Sequence, residues 1–146
     1  MQIFNEIINN KCIVVPIIVW FLIQTFKTVT DLCINKKINV KRIMGAGGMP
    51  SSHSAVVTSL AVLIGKENGF DSGLFALSVV FAFVVMYDAA GVRRAAGKQA
   101  AVLNKILATP GMTSVEVQEK LVEFLGHTPV QVFVGAAIGI LVGVWV

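Results

Sequence analysis

The 146-residue chain carries two histidines, and each stands beside a glycine and a proline at the start of a long apolar run. One lies in Gly47-Gly48-Met49-Pro50-Ser51-Ser52-His53-Ser54-Ala55, the other in Gly126-His127-Thr128-Pro129-Val130-Gln131-Val132. Between them falls Tyr87-Asp88-Ala89-Ala90-Gly91-Val92-Arg93-Arg94. Two imidazoles can share the roles of nucleophile and general acid, while guanidinium groups hold an anion whose charge grows in the transition state. A zinc site asks for three or more N, S or carboxylate ligands. Only the two histidines and Asp88 offer themselves, so no metal and no other cofactor is expected, and the set fits phosphoryl transfer better.

Each group also has a plainer reading. Ser51 and Ser52 open a helix, where free amides, the helix dipole and the hydroxyls can either hold a phosphate or simply cap the first turn. Arg93 and Arg94 can cradle an anion or merely anchor a loop at a membrane surface. His127 can be a nucleophile or a capping residue. Asp88 is less easily dismissed, because it interrupts an apolar run, and an ionisable group there needs a partner or a function. Its candidate partners are Arg93, Arg94, Lys27 and a histidine.

The elements that must position these groups are helices in a bilayer. The chain is 55% apolar and only 14% charged, against about 25% charged in a soluble domain. Its mean hydropathy is +0.80. Residues 12–26, 43–65, 72–87 and 124–146 contain no Asp, Glu, Lys or Arg. A crossing helix needs roughly 17–25 residues, so four spans are expected, with Lys27 and Asp88 extending the first and third. One domain over 1–146 is expected, an all-α polytopic bundle of about four transmembrane helices plus one amphipathic cytoplasmic helix. A homo-oligomer is expected as well, since four short helices leave polar residues in need of cover.

Span one should run from Cys12 to about Asp31, with Pro16 in its first turn and Gln24 and Lys27 sharing an inward face. Pro50 reads as the first residue of span two, which should stop at Gly65 after a start that is either helical or re-entrant. Span three should cover Gly73–Asp88. After Pro110-Gly111, Thr113-x-x-Glu116 opens an amphipathic helix through Val117, Leu121, Phe124 and Leu125. Thr128-Pro129 caps and begins span four. Cys12 and Cys33 bracket span one, too far apart to pair with each other.

Charge sets the orientation. Lys36, Lys37, Lys41, Arg42, Arg93, Arg94, Lys98, Lys105 and Lys120 lie on one side, against Lys11 and Lys66 on the other. The positive-inside rule then puts segments 34–49 and 92–125 in the cytoplasm and both termini outside. No cleaved signal is expected, given Glu6 and no basic residue before Lys11. The net charge of +4 suits anionic headgroups; nothing interleaves aromatic and basic residues as nucleic-acid binding would require. His53, Asp88, Arg93 and His127 all fall at the cytoplasmic ends of their spans.

Three segments now resemble a known family. Gly47 to Ala55, Asp88-Ala89-Ala90-Gly91-Val92-Arg93-Arg94-Ala95-Ala96-Gly97-Lys98-Gln99-Ala100, and Leu125-Gly126-His127-Thr128-Pro129 are similar to the divergent phosphatidic acid phosphatase type 2 family, small membrane proteins related to acid phosphatases and vanadium haloperoxidases. The resemblance covers residues 10–146. It implies that Ser51 and Ser52 contact phosphate, that His53 is the acid and that His127 is the nucleophile. Departures stand beside it. Gln131 replaces the aspartate that orients the nucleophile, Leu121 replaces an arginine, and Lys27 is the remnant of a Lys-plus-Arg-Pro motif. A phosphatase would then need Asp88 to assist His127, with Lys27, Arg93 and Arg94 on the phosphate oxygens.

The expected function is metal-independent hydrolysis of a lipid phosphate or pyrophosphate through a phosphohistidine. The alternative is a phospholipid-headgroup binder or lipid-phosphate translocator that kept the anion cradle.

Overall fold

The computed structural model describes residues 1–36, 48–108, 121 and 126–146. Among these the chain is all-helical, with α1 (Gln2–Asn9), α2 (Lys11–Asn35), α3 (Ser52–Asn68), α4 (Gly73–Ala90), α5 (Val92–Leu107) and α6 (Pro129–Trp145). The basic loop around Lys41 and Arg42, the glycines before Gly48 and the expected amphipathic helix lie outside the described residues, Leu121 excepted.

α3 is the centre of the bundle and packs against α2, α4 and α6. Its buried positions are mostly small or hydroxylated: Ser52, Ser54, Ala55, Thr58, Ser59, Ala61 and Gly65. α4 buries Ser78, Ala82 and Ala89, and α6 buries Gly135, Gly139 and Gly143. The large apolar side chains point the other way, with Phe81, Phe83, Phe133, Leu141 and Trp145 exposed. Water would drive the opposite sorting. Lipid is as apolar as leucine, so helices in it associate through close packing of small residues and interhelical hydrogen bonds. Two helical stretches are long and apolar enough to cross a membrane, Lys11–Cys33 and Gly73–Leu107, and Pro129–Trp145 is apolar but shorter. α3, at 17 residues, is less apolar because it carries several hydroxyls, and these are buried against protein.

Among the described residues the most extensive helix contact is the α3–α6 seam. A Cβ on Gly135 would run into the Ser51 carbonyl, and one on Gly139 into the Ala55 carbonyl and the Thr58 hydroxyl. On Gly143 it would come within 2.8 Å of Val62 Cβ. Thr58 Oγ1 donates across the seam to the Ala136 carbonyl at 3.1 Å. The four-residue repeat of glycine puts all three on one face of α6.

Some boundaries differ from the sequence expectation. Asn10 caps α2 by accepting from the Cys12 amide at 2.9 Å, so the helix starts at Lys11 and Pro16 falls in its second turn. There its ring offers no hydrogen to the carbonyl four residues back. Pro50 precedes the helix, because Ser51 is the cap. α3 runs through Gly65 and ends at Asn68, with Gly69 at φ +90°. A Cβ at Gly65 would meet Phe70 Cε1 at 2.5 Å, so glycine lets that ring cross the helix. Gly73 does open α4, which passes Asp88 by one half-turn before Gly91 breaks it from α5.

The ends of the bundle differ in chemistry. At one end Lys66 Nζ donates to the Val144 carbonyl at 3.1 Å, Lys11 Nζ to the Val146 carbonyl at 3.4 Å, and Cys12 Sγ to Glu67 Oε2 at 3.3 Å. The start of α3, the end of α4 and the start of α6 gather at the other. Both cysteines are free.

Candidate functional site

Backbone contacts assemble the site before any side chain does. Ser51 N donates to the Gln131 carbonyl at 3.0 Å, tying the start of α3 to α6. His127 N donates to the Ala89 carbonyl at 2.8 Å, tying the chain before α6 to one of the unsatisfied last carbonyls of α4. Gly126, at φ +89°, packs onto the Arg93–Arg94 backbone so closely that a Cβ would strike the Arg94 amide. Only glycine accepts both that dihedral and that approach.

These ties bring the two histidines together. Their ring centroids are 5.8 Å apart at an interplanar angle of 64°, edge to face. His127 is 1% exposed and Ser51 0%. His127 Nδ1 lies 3.3 Å from Gln131 Oε1, and the same oxygen accepts the Thr128 amide at 3.0 Å. That second bond settles which end of the amide faces the ring, since an N–H must meet an oxygen. With its proton on Nδ1 the ring donates to Gln131 Oε1, and Nε2 then bears the lone pair.

That lone pair has no taker. His127 Nε2 and His53 Nδ1 are buried side-chain atoms without a hydrogen-bond partner among the described residues. A buried polar atom left unpaired costs about 1–3 kcal/mol, so two of them beside each other make a place for a ligand. Burial lowers the His127 pKa below the ordinary histidine value, and the nearby Lys27 charge adds to the effect. Both effects favour the neutral ring.

The charged groups lie at unequal depths. Lys27 is half-buried on α2, with Gly48 against its stem, and its charge bears on both imidazoles. Asp88 Oδ2 and Arg93 Nε form an ion pair of 2.8 Å with side chains 40% and 45% exposed, and both charges reach His53. Asp88 therefore faces Arg93, and the orienting place beside His127 that the sequence reading gave it is filled by Gln131. Arg94 is exposed, and its backbone is what meets the site. Ser51 is a cap. Its Oγ accepts from the Ser54 hydroxyl at 3.0 Å and the Ser54 amide at 3.4 Å, while its own amide is taken by Gln131. Ser52 is buried in the first turn next to His53. Leu121 is exposed, and its amide and carbonyl are both clamped by the Asn104 side chain, at 3.0 and 2.8 Å.

The sequence analysis treats Gln131 as a departure from the family pattern, whereas the structure sets it against the His127 ring. The signal was present: Thr128-x-x-Gln131 has capping-box spacing, and both bonds of that box form.

A bundle of helices packed on small residues, with paired imidazoles and cations at one end, is the scaffold of a phosphatase-related membrane protein. The chain belongs to the Divergent PAP2 family, whose model matches residues 8–142. It is 39% identical over 147 residues, 93% of either chain, to a Bacillus subtilis (strain 168) protein described as "Uncharacterized membrane protein YuiD". No solved structure matches the chain.

Proposed function

We propose that the protein hydrolyses a lipid phosphate or pyrophosphate at the cytoplasmic face of the membrane, with α2, α3, α4 and α6 as four spans and both termini outside. His127 Nε2 attacks phosphorus and the bond to the leaving oxygen breaks. His53, protonated in the complex with the anionic substrate, gives its proton to that oxygen. Water then attacks the phosphohistidine, losing a proton to His53, and inorganic phosphate leaves. Lys27 and Arg93 balance the charge on the phosphoryl oxygens. Gln131 holds the attacking ring through Nδ1–H. The observation that carries the reading is the buried, unpartnered Nε2 of a ring whose other nitrogen lies 3.3 Å from Gln131 Oε1.

The test is phosphate release from a panel of lipid phosphates by purified protein in EDTA, beside His127→Ala, His53→Ala and Asp88→Asn. Turnover that survives chelation and vanishes in His127→Ala supports the proposal. Absence of turnover, with lipid-phosphate binding intact and weakened by Arg93→Ala, replaces it with the headgroup binder or translocator. One observation favours that second reading: the amide of Gln131 carries no charge to stabilise an imidazolium.

A further inference from the structure

α5 carries three faces of different chemistry. At about 100° per residue, Gly97, Ala100 and Asn104 fall together and are buried, and Asn104 holds both the amide and the carbonyl of Leu121. Arg94, Lys98 and Lys105 form a second edge, and all three are exposed. Residues 89–115 contain no Asp or Glu, so nothing on α5 itself offsets that edge. Beside it, Val92, Val102, Leu103 and Ile106 fill an apolar arc of about 100° and are 43–60% exposed. α4, at 18 residues, falls within the roughly 17–25 that cross a bilayer. α5 follows directly after the break at Gly91, so it starts at the membrane boundary. Among the described residues it packs on no helix but α4. An exposed apolar arc flanked by a basic edge, at that depth, is the pattern of a helix lying in the headgroup layer.

We infer that α5 lies on the membrane surface with its apolar arc in the leaflet and its basic edge on anionic phospholipid headgroups, and that this contact steadies the site. The link is steric. The backbone of Arg93 and Arg94, in the first turn of α5, is the surface on which Gly126 packs. His127 follows Gly126, with its amide on the Ala89 carbonyl. A helix held along its length by headgroups resists tilting about Gly91, so its first turn keeps its place against the histidine. The lipid is here a ligand and not a substrate. It needs only a negative headgroup, which a phosphodiester supplies without a monoester to cleave. Each lysine at an anionic surface is worth about fivefold in affinity. The effect on turnover rests on the phosphatase reading above; the lipid contact does not.

Two measurements test it. Both native cysteines are free, so Cys12→Ser/Cys33→Ser with Leu103→Cys takes a single nitrobenzoxadiazole label. In vesicles of phosphatidylcholine and phosphatidylglycerol the label should emit as in an apolar medium. Spin-labelled phosphatidylglycerol should quench it several-fold more than spin-labelled phosphatidylcholine at equal mole fraction. Lys98→Gln/Lys105→Gln, like high salt, should remove that excess and keep the apolar emission. Turnover of p-nitrophenyl phosphate, a soluble ester, should rise several-fold when phosphatidylglycerol is added to phosphatidylcholine. In Lys98→Gln/Lys105→Gln it should not rise, while the rate in phosphatidylcholine alone matches wild type. Aqueous emission, or equal quenching by the two lipids, overturns the lipid contact. Apolar emission that neither lipid quenches also overturns it, and gives the face to a protein partner or a second copy. Excess quenching with turnover indifferent to phosphatidylglycerol overturns the steadying of the site and leaves the phosphatase reading standing. Excess quenching with no turnover on any phosphate overturns the phosphatase reading and leaves the headgroup contact.

Discussion

The two flanks of the site are built on different principles. On the α6 flank, His127 is buried, its backbone is tied to Ala89, its ring to Gln131, and the helix behind it lies glycine against backbone on α3. On the α4–α5 flank, Asp88 and Arg93 meet across the Gly91 break at the surface. A buried, over-determined group keeps its geometry. An exposed pair is worth about 0.2–1 kcal/mol and exchanges partners readily. In the proposed reaction the attacking atom is held fixed, while the guanidinium of Arg93 is free to turn from a carboxylate to a phosphoryl oxygen.

The comparison breaks most severely at the seam. Gly139→Leu places a side chain where the Ala55 carbonyl and Thr58 hydroxyl already stand. It should prevent the helices from closing, read as loss of a cooperative melting transition in detergent. Gly135→Ala should cost about 1–3 kcal/mol, the range of overpacking, whereas Asp88→Asn should shift the melting point hardly at all. Equal sensitivity of the two flanks would end the distinction.

Gln131→Leu comes next. It strips the acceptor from His127 Nδ1–H, leaving a buried donor unpaired at about 1–3 kcal/mol, and turnover should fall roughly 10- to 100-fold. Gln131→Glu keeps both acceptor contacts, adds a negative charge, and should retain or exceed wild-type kcat. A dead Gln131→Glu beside an active Gln131→Leu would remove Gln131 from the mechanism.

Asp88→Asn should have a smaller effect, within about tenfold on turnover, with vanadate binding tightened because Arg93 is released. Loss of activity as complete as in His127→Ala would instead make Asp88 the direct assistant of the histidine.

The finest test is pH. Protonation of Nε2 removes the nucleophile, so kcat/KM should fall as pH drops, and burial places that fall below the ordinary histidine value. In Gln131→Glu the carboxylate favours imidazolium, and the same limb should move to higher pH. A limb at or above the ordinary histidine value in wild type, unmoved in Gln131→Glu, would assign it to another group.

How much of this the sequence discloses depends on which interactions are local. That His53, Asp88, Arg93 and His127 meet at one end was legible, because each stands at the end of an apolar run and antiparallel helices bring alternate ends together. The Thr128 cap and Pro129 start were legible for the same reason. The Asp88–Arg93 pair was open among several, since the residues are five apart across a helix break whose dihedrals no periodicity reports. In sequence Gln131 reads as a lost carboxylate, because residue type alone does not separate orienting a ring from stabilising its charge. An amide does the first without the second. The centrality of α3 was hidden because hydropathy records what a side chain is and not which way it faces.

The lysines at the far end constrain how the site can move. Lys66 holds the last carbonyls of α6 from α3, Lys11 holds its terminal carbonyl from α2, and Ser51 holds Gln131 at the opposite end. Contacts at both tips oppose sliding, weakly at the exposed lysine end, and the interlocked glycines oppose rotation. If the proposed hydrolysis holds, the motion that admits substrate and frees product is expected in the helices that face α6 and not in α6 itself.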